Sequence, residues 1–228
     1  MTKALSEMTN QELWTLFPII LTSHDPAWTE RYAQERKRIE RTMGEENITR
    51  ISHIGSTAVP GLIAKPTIDI LLEITDECDT ERLKAALIAD GYIFSPQPDN
   101  PPPHMMFMKG YTSHGFKGQA YHLHVRYNGD WDELYFRDYL IAHPNAVNAY
   151  GRLKELLRQQ HECDRDAYTK AKTEFVWQHN ALARSEFGEK YTLRKSDAKG
   201  RTSSYGFSLE QEKSVGQIHA GWFSSRIE

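Results

Sequence analysis

The chain of 228 residues is 39% hydrophobic, enough for the core of one sizeable domain, and its formal charge of -3 goes with a pI near 6.4. That balance excludes a protein that coats nucleic acid through a general basic surface, leaving room only for a local basic patch. Two cysteines, Cys78 and Cys163, stand far apart without Cys-x-x-Cys spacing, so neither a disulfide framework nor a zinc knuckle is expected.

Residues 1–10 are polar and acidic rather than a signal peptide, and no apolar run approaches the roughly 18 residues of a membrane helix, so a cytoplasmic protein without a membrane partner is expected. The dense apolar stretch 13–21 predicts a helical turn leading into an edge strand. Asp25 and Pro26 then start a helix, as N-cap and first helical residue, that runs to about Met43 with Trp28, Tyr32 and Ile39 inward. Residues 51–54 read as a short strand. Gly55, Ser56 and Thr57 form a turn whose N–H groups and hydroxyls suit an anion, and Pro60, Gly61 and Pro66 forbid a helix through the connection that follows.

From Thr67 to Ile74 the residues are aliphatic or β-branched on both faces apart from Asp69 and Glu73, which predicts a central strand covered on both sides. Asp69 interrupts an apolar run, so its carboxylate needs a metal, a lysine or N–H donors as partner, or a proton. An amphipathic helix over 81–90 ends at Gly91, and a short strand follows over 92–94. Five prolines in residues 95–103 preclude regular structure there, giving a stiff spacer or a lid. Residues 104–109 and 120–127 read as an antiparallel pair joined by a glycine-bearing loop over 110–118. Helices are expected over 131–142, 145–160 and 164–187, the last with Phe175, Val176 and Leu182 on its apolar stripe. The basic stretch 190–201 reads as a solvated tail rather than an RNA contact, and the remaining residues as a Ser- and Gly-rich appendage.

The run from His53 to Leu62, followed by Lys65, Pro66, Ile68 and Asp69, resembles the GrpB-like family, whose fold belongs to the nucleotidyltransferase superfamily. The resemblance continues in Gly91 and Tyr92, in residues 122–125, in the run from Phe136 to Pro144, and in Tyr150, Leu153, Lys154, Tyr168, Lys172 and Phe175. It implies an α/β (α+β) fold, a mixed sheet of about five strands backed by a C-terminal helical layer. The domain would occupy 22–188, with an N-terminal extension over 1–21 and the appendage over 189–228.

Nucleotidyl transfer needs a phosphate cradle and carboxylates that hold divalent cations where charge develops. By the resemblance, Gly55, Ser56 and Thr57 would be the cradle and Asp69 the first metal-binding acid. The second acid, expected two residues on, is replaced by Leu71, and Glu73 stands about 13 Å along the strand. The third position falls at His122 and His124, a donor set that suits zinc, manganese or nickel better than magnesium. The two imidazoles are either a metal pair with Asp69 or a core histidine and a hydrogen-bond partner of that acid. His53 either binds phosphate or braces the turn, and Arg137 either pairs with Asp138 or grips an anion. Lys65, Lys154 and Lys172 either converge on an anionic substrate or remain surface lysines, and Tyr168 offers a hydroxyl, a stacking face or core bulk. The expected function is that of a nucleotidyltransferase-like protein binding a nucleotide or phosphorylated small molecule, with metal-dependent transfer as its extension. Its rivals are a non-catalytic binding module and a divalent-metal enzyme of another class.

Overall fold

The computed structural model describes residues 3–162 and 164–192, so Cys163 and the greater part of the basic stretch and appendage lie outside the described residues. Strand β2 (Thr67–Ile74) spans the expected run, and seven of its eight residues are buried, Asp69 being the exception. It pairs antiparallel with β1 (Ile48–Ile54) and parallel with β5 (Gly115–Tyr127). Outward from β5 come β4 (Met105–Thr112) and β3 (Ile93–Ser95), both antiparallel, giving the order β1-β2-β5-β4-β3. The mixed α/β class and the five-strand sheet are those the sequence predicts.

The strand period of two divides β2 between two layers. Ile68, Ile70, Leu72 and Ile74 pack under α2 (Ala27–Met43) and α3 (Thr80–Ala89), meeting Trp28, Ile39, Leu83 and Leu87. Burying each such side chain contributes about 1.5–3 kcal/mol, so this face supplies much of the driving force for folding. Asp25 accepts from the N–H of Ala27 at 2.9 Å at the start of α2, and Asp79 caps α3 by accepting from the N–H groups of Glu81 and Arg82. The other face carries Asp69, Leu71 and Glu73 toward the helices that follow β5: α4 (Asp132–Ala142), α5 (Pro144–Gln160), α6 (Arg165–Lys170) and α7 (Thr173–Phe187). Leu71 is fully buried there against Ile54 and Leu134.

Three elements differ from expectation. The residues expected as a glycine-bearing loop over 110–118 continue both strands to a tight turn at Ser113 and His114, because Gly110 (φ 87°) forms a bulge within β4 rather than a loop. The single long helix expected over 164–187 is two, α6 and α7, parted at Ala171 and Lys172. No residue there forbids a helix, so periodicity reads straight through the break, and Leu182 lies exposed while Asn180 and Ala183 are buried. The stretch 13–21 forms the end of α1 (Asn10–Leu16) and then an extended segment, after which Thr22 bridges Ala64. Leu13 and Phe17 join Met106, Met108 and Tyr111 in the core, so part of the stretch read as an extension packs on the sheet. None of the described helices is long and apolar enough to cross a membrane.

Glu73, fully buried, is held by the Arg50 guanidinium, including Nη2 to Oε1 at 2.7 Å, and accepts from the N–H of Gly129 at 3.0 Å. Removing Arg50 leaves a buried carboxylate without its counter-charge, so Arg50→Leu is expected to cost about 3–5 kcal/mol in urea unfolding. The double variant Arg50→Leu/Glu73→Leu should recover most of that loss; a double variant as unstable as the single one would refute the pairing as the cause.

Candidate functional site

Gly55 follows β1 with φ 68° and ψ -171°, and a Cβ built on it would lie 2.3 Å from Asp69 Oδ2. Only glycine permits that approach, and the pairing of Ile54 with Asp69 across β1 and β2 brings the two together. The 3-10 turn Ser56–Ala58 then directs Ser56 into a cleft between the sheet and the C-terminal helices. Parallel pairing sets Asp69 beside His122, and His122 Nδ1 donates to Asp69 Oδ1 at 3.1 Å. Tyr111 Oη donates to His122 Nε2 at 2.8 Å, which fixes that tautomer. Burial, outweighing the neighbouring carboxylate, brings the His122 pKa down to about 4. Burial pushes the Asp69 carboxyl up, but the hydrogen bond from His122 and the nearby His124 imidazole prevail and hold it well below the usual carboxylate range.

Both nitrogens of His122 are thus engaged by protein, and His124 Nε2 stands 4.0 Å from Asp69 Oδ1. Among the described residues no group of three or more His, Cys, Asp or Glu side chains is arranged to hold a metal ion. Asp69, His122 and His124 come together as expected, but as placed they form a hydrogen-bonded acid and imidazole cluster that does not fit the divalent-metal triad read from the sequence.

The lysines do converge. Lys154, on α5 and buried, donates from Nζ to Ser56 Oγ at 2.9 Å. Lys65 and Lys172 share the Tyr168 ring, with Nζ atoms 5.6 and 4.5 Å from its centroid. All three line one cavity of about 170 Å³ with Gly55, Ser56, Asp69, His122, His124 and Tyr168. Arg165, unforeseen in the sequence reading, adds a fourth cation to its wall and donates to the Phe17 carbonyl at 2.9 Å. Burial first, then repulsion from neighbouring cations, holds Lys65 and Lys154 well below the usual lysine range, and burial brings Lys172 down to about 8.

Three expected site residues lie outside the cavity wall. His53 points to the opposite face, stacked 4.7 Å from the Tyr32 ring, and its Nε2 bonds the Thr57 hydroxyl at 3.0 Å. Thr57 in turn donates to the Thr67 carbonyl at 3.2 Å, so both brace the turn. Arg137 pairs with Asp138 and donates to the His53 carbonyl at 3.0 Å and to Tyr191 Oη at 2.9 Å. No local signal marks Arg165 as a site residue, since its neighbour Asp164 reads only as a helix cap, and Asn180 escaped notice because it sits on a stripe read as apolar.

The family model described as GrpB protein matches residues 18–181. A UPF0157 protein of Pseudomonas aeruginosa is 40% identical over 67% of this chain and 62% of its own length. The glutamate-rich protein GrpB of Alkalihalophilus pseudofirmus is 31% identical over 69% of this chain and 91% of its own. The UPF0157 protein YqkA of Bacillus subtilis is matched over only 43% of its length, so the chain spans less than two thirds of these first two UPF0157 relatives. A dephospho-CoA kinase of Mycolicibacterium paratuberculosis is 27% identical over 74% of this chain and 46% of its own. The crystal structure of GrpB from Enterococcus faecalis superposes with a TM-score of 0.65 at 28% identity, covering 74% of this chain and 99% of that one.

Two outcomes follow from the corner and its acid. Gly55→Ala, strained in φ and overlapping Asp69, is expected to lower the urea midpoint by the equivalent of about 2 kcal/mol or more. The neutral His122 makes stability fall as pH drops from about 6.5 to 4, because the unfolded chain takes up a proton that the folded one refuses. The loss reaches about 3 kcal/mol at most, and His122→Asn, which keeps a donor toward Asp69, should shrink the difference between urea midpoints at pH 7 and pH 5.

Proposed function

The chain belongs to the GrpB family, and from that premise and the cleft's charge we propose that it binds a nucleotide or phosphorylated small molecule at the Gly55–Ser56 corner. The observation that carries the reading is the gathering of Lys65, Lys154, Lys172 and Arg165 around Asp69 in one cavity. Crowding basic side chains where burial disfavours their charged forms costs free energy, and an anionic ligand offsets that cost. Lys65 and Lys172 contact Tyr168 through its ring, and no carboxylate among the described residues is within ion-pair distance of either ammonium. Both ammonium groups are therefore available to phosphate oxygens, as Lys154 and Ser56 are at the corner itself.

The reading stops at binding because of Leu71. Transfer by a two-cation clamp needs a second carboxylate on the face of Asp69, and that position is filled by a buried aliphatic side chain. What the residues supply is orientation: Ser56 and Lys154 at the anion, and Asp69 held charged by two imidazoles beside it.

Calorimetric titration with AMP, ATP and pyrophosphate tests the proposal. Binding is expected with proton uptake, seen as a heat that depends on the ionisation enthalpy of the buffer, because a bound anion raises lysine pKa values that burial holds down. Lys172 is charged below about 8 and neutral above it, so affinity should fall as pH rises from 7 to 9. Lys172→Met should weaken binding about tenfold, the usual worth of one charge-assisted contact. No binding by any of the three probes would end the proposal, and release of pyrophosphate from ATP with Mg²⁺ or Mn²⁺ would replace binding with transfer.

A further inference from the structure

The cavity has a second end, opposite in polarity to the first. Lys172, which caps the start of α7, and Val176 and Asn180 within it recur every fourth residue, and all three line the cavity. That stripe runs from a cation at the helix start through an aliphatic side chain to an amide about 12 Å further along the axis. The sheet below repeats the order. His122, His124 and Arg126 alternate along β5, with His122 bound to Asp69 at the lysine end and Arg126 paired with Glu133 at 2.7 Å at the other. Glu133 and Asp132, from the first turn of α4, line the same cavity as Asn180. Phe136, Tyr150 and Val176 fill the middle with apolar surface.

Asn180 is 4% exposed, and its Oδ1 is buried with no hydrogen-bond partner among the described residues. A buried amide oxygen left unsatisfied costs about 1–3 kcal/mol, so an acceptor is held ready where the protein offers it no donor. Asp132 and Glu133, also on the cavity wall, are already paired with Arg184 and Arg126.

Building on the binding reading above, we infer that the ligand is a nucleotide whose base carries an exocyclic amino group, and that Asn180 is the residue that selects it. The phosphate lies among the lysines, the ring system lies against Phe136 and Val176, and the amino group donates to Asn180 Oδ1. A keto base in its place would set a carbonyl against the amide oxygen and leave both unsatisfied. The asymmetry resembles that of any site built around one hydrogen bond: the analogue lacking the donor is rejected more strongly than a missing apolar group would be.

Matched pairs that differ only in that group provide the test: AMP against IMP and CMP against UMP, titrated into the full chain, with pyrophosphate as the anion-only probe. The amino member of at least one pair should bind about tenfold tighter. Asn180→Leu should erase the preference while leaving pyrophosphate affinity unchanged, and Asn180→Asp, which keeps an acceptor, should preserve it. Because the readout is a ratio within one variant, general damage to the fold moves both members and leaves the ratio intact. Equal affinity within both pairs, or a preference that survives Asn180→Leu, overturns the assignment. Pyrophosphate binding without nucleotide binding overturns it too, while leaving the anion site standing; silence from every probe removes the anion site as well.

Discussion

Everything in the cleft is referred to one close approach, the contact of the Asp69 carboxylate with the backbone of Gly55. A side chain at 55 would collide with Asp69 Oδ2, so the corner can follow β1 only as glycine, and only then does Ser56 turn toward the C-terminal helices. The same carboxylate takes the Nδ1 proton of His122, whose Nε2 is closed by Tyr111. A chain of fixed hydrogen bonds therefore runs from the hairpin of β4 and β5 to the corner. The acid stays charged despite its recess because those donors outweigh the burial that opposes them.

Against that single anchored negative charge the fold sets lysines from three places: the connection ahead of β2, the middle of α5 and the break between α6 and α7. Each amine is recessed, and burial lowers the pKa of each. Aliphatic side chains at those positions would carry no such desolvation cost, so the lysines are the energetically expensive part of the cleft. The apolar face beneath α2 and α3 offsets that cost.

The sheet was legible where local pattern decides. The apolar run of β2 marked a central strand to its exact ends, and one acid within it marked Asp69 as the residue to explain. The helix start at Asp25 and the stop at Gly91 follow from capping chemistry that needs no tertiary context. Gly110 misled because a glycine in a bulge and a glycine in a loop look alike in one dimension; the partner strand that tells them apart is ten residues away. The break at Lys172 was invisible for the converse reason, since its neighbours are all competent helix formers. The candidate site was legible only in its first half. Gly55, Ser56 and Asp69 lie in one continuous stretch, whereas the convergence of Lys154 and Lys172, and the presence of Arg165 and Asn180, depend on how four helices stack. His122 and His124 were found, with a hydrogen bond to Asp69 as one of their two readings; Tyr111, which closes the other nitrogen of His122, was not.

The bond from Lys154 to Ser56 spans 98 positions of the chain. During synthesis the corner and its acid leave the ribosome long before the helices that face them, so the first half of the molecule has a floor and no wall. Loop closure over that separation is slow and its entropy is repaid only when the helical layer docks. The cleft is for that reason a property of the finished fold alone, and any molecule that fills it acts as a late clasp between the two halves of the polypeptide, slowing their separation without touching the way either is built.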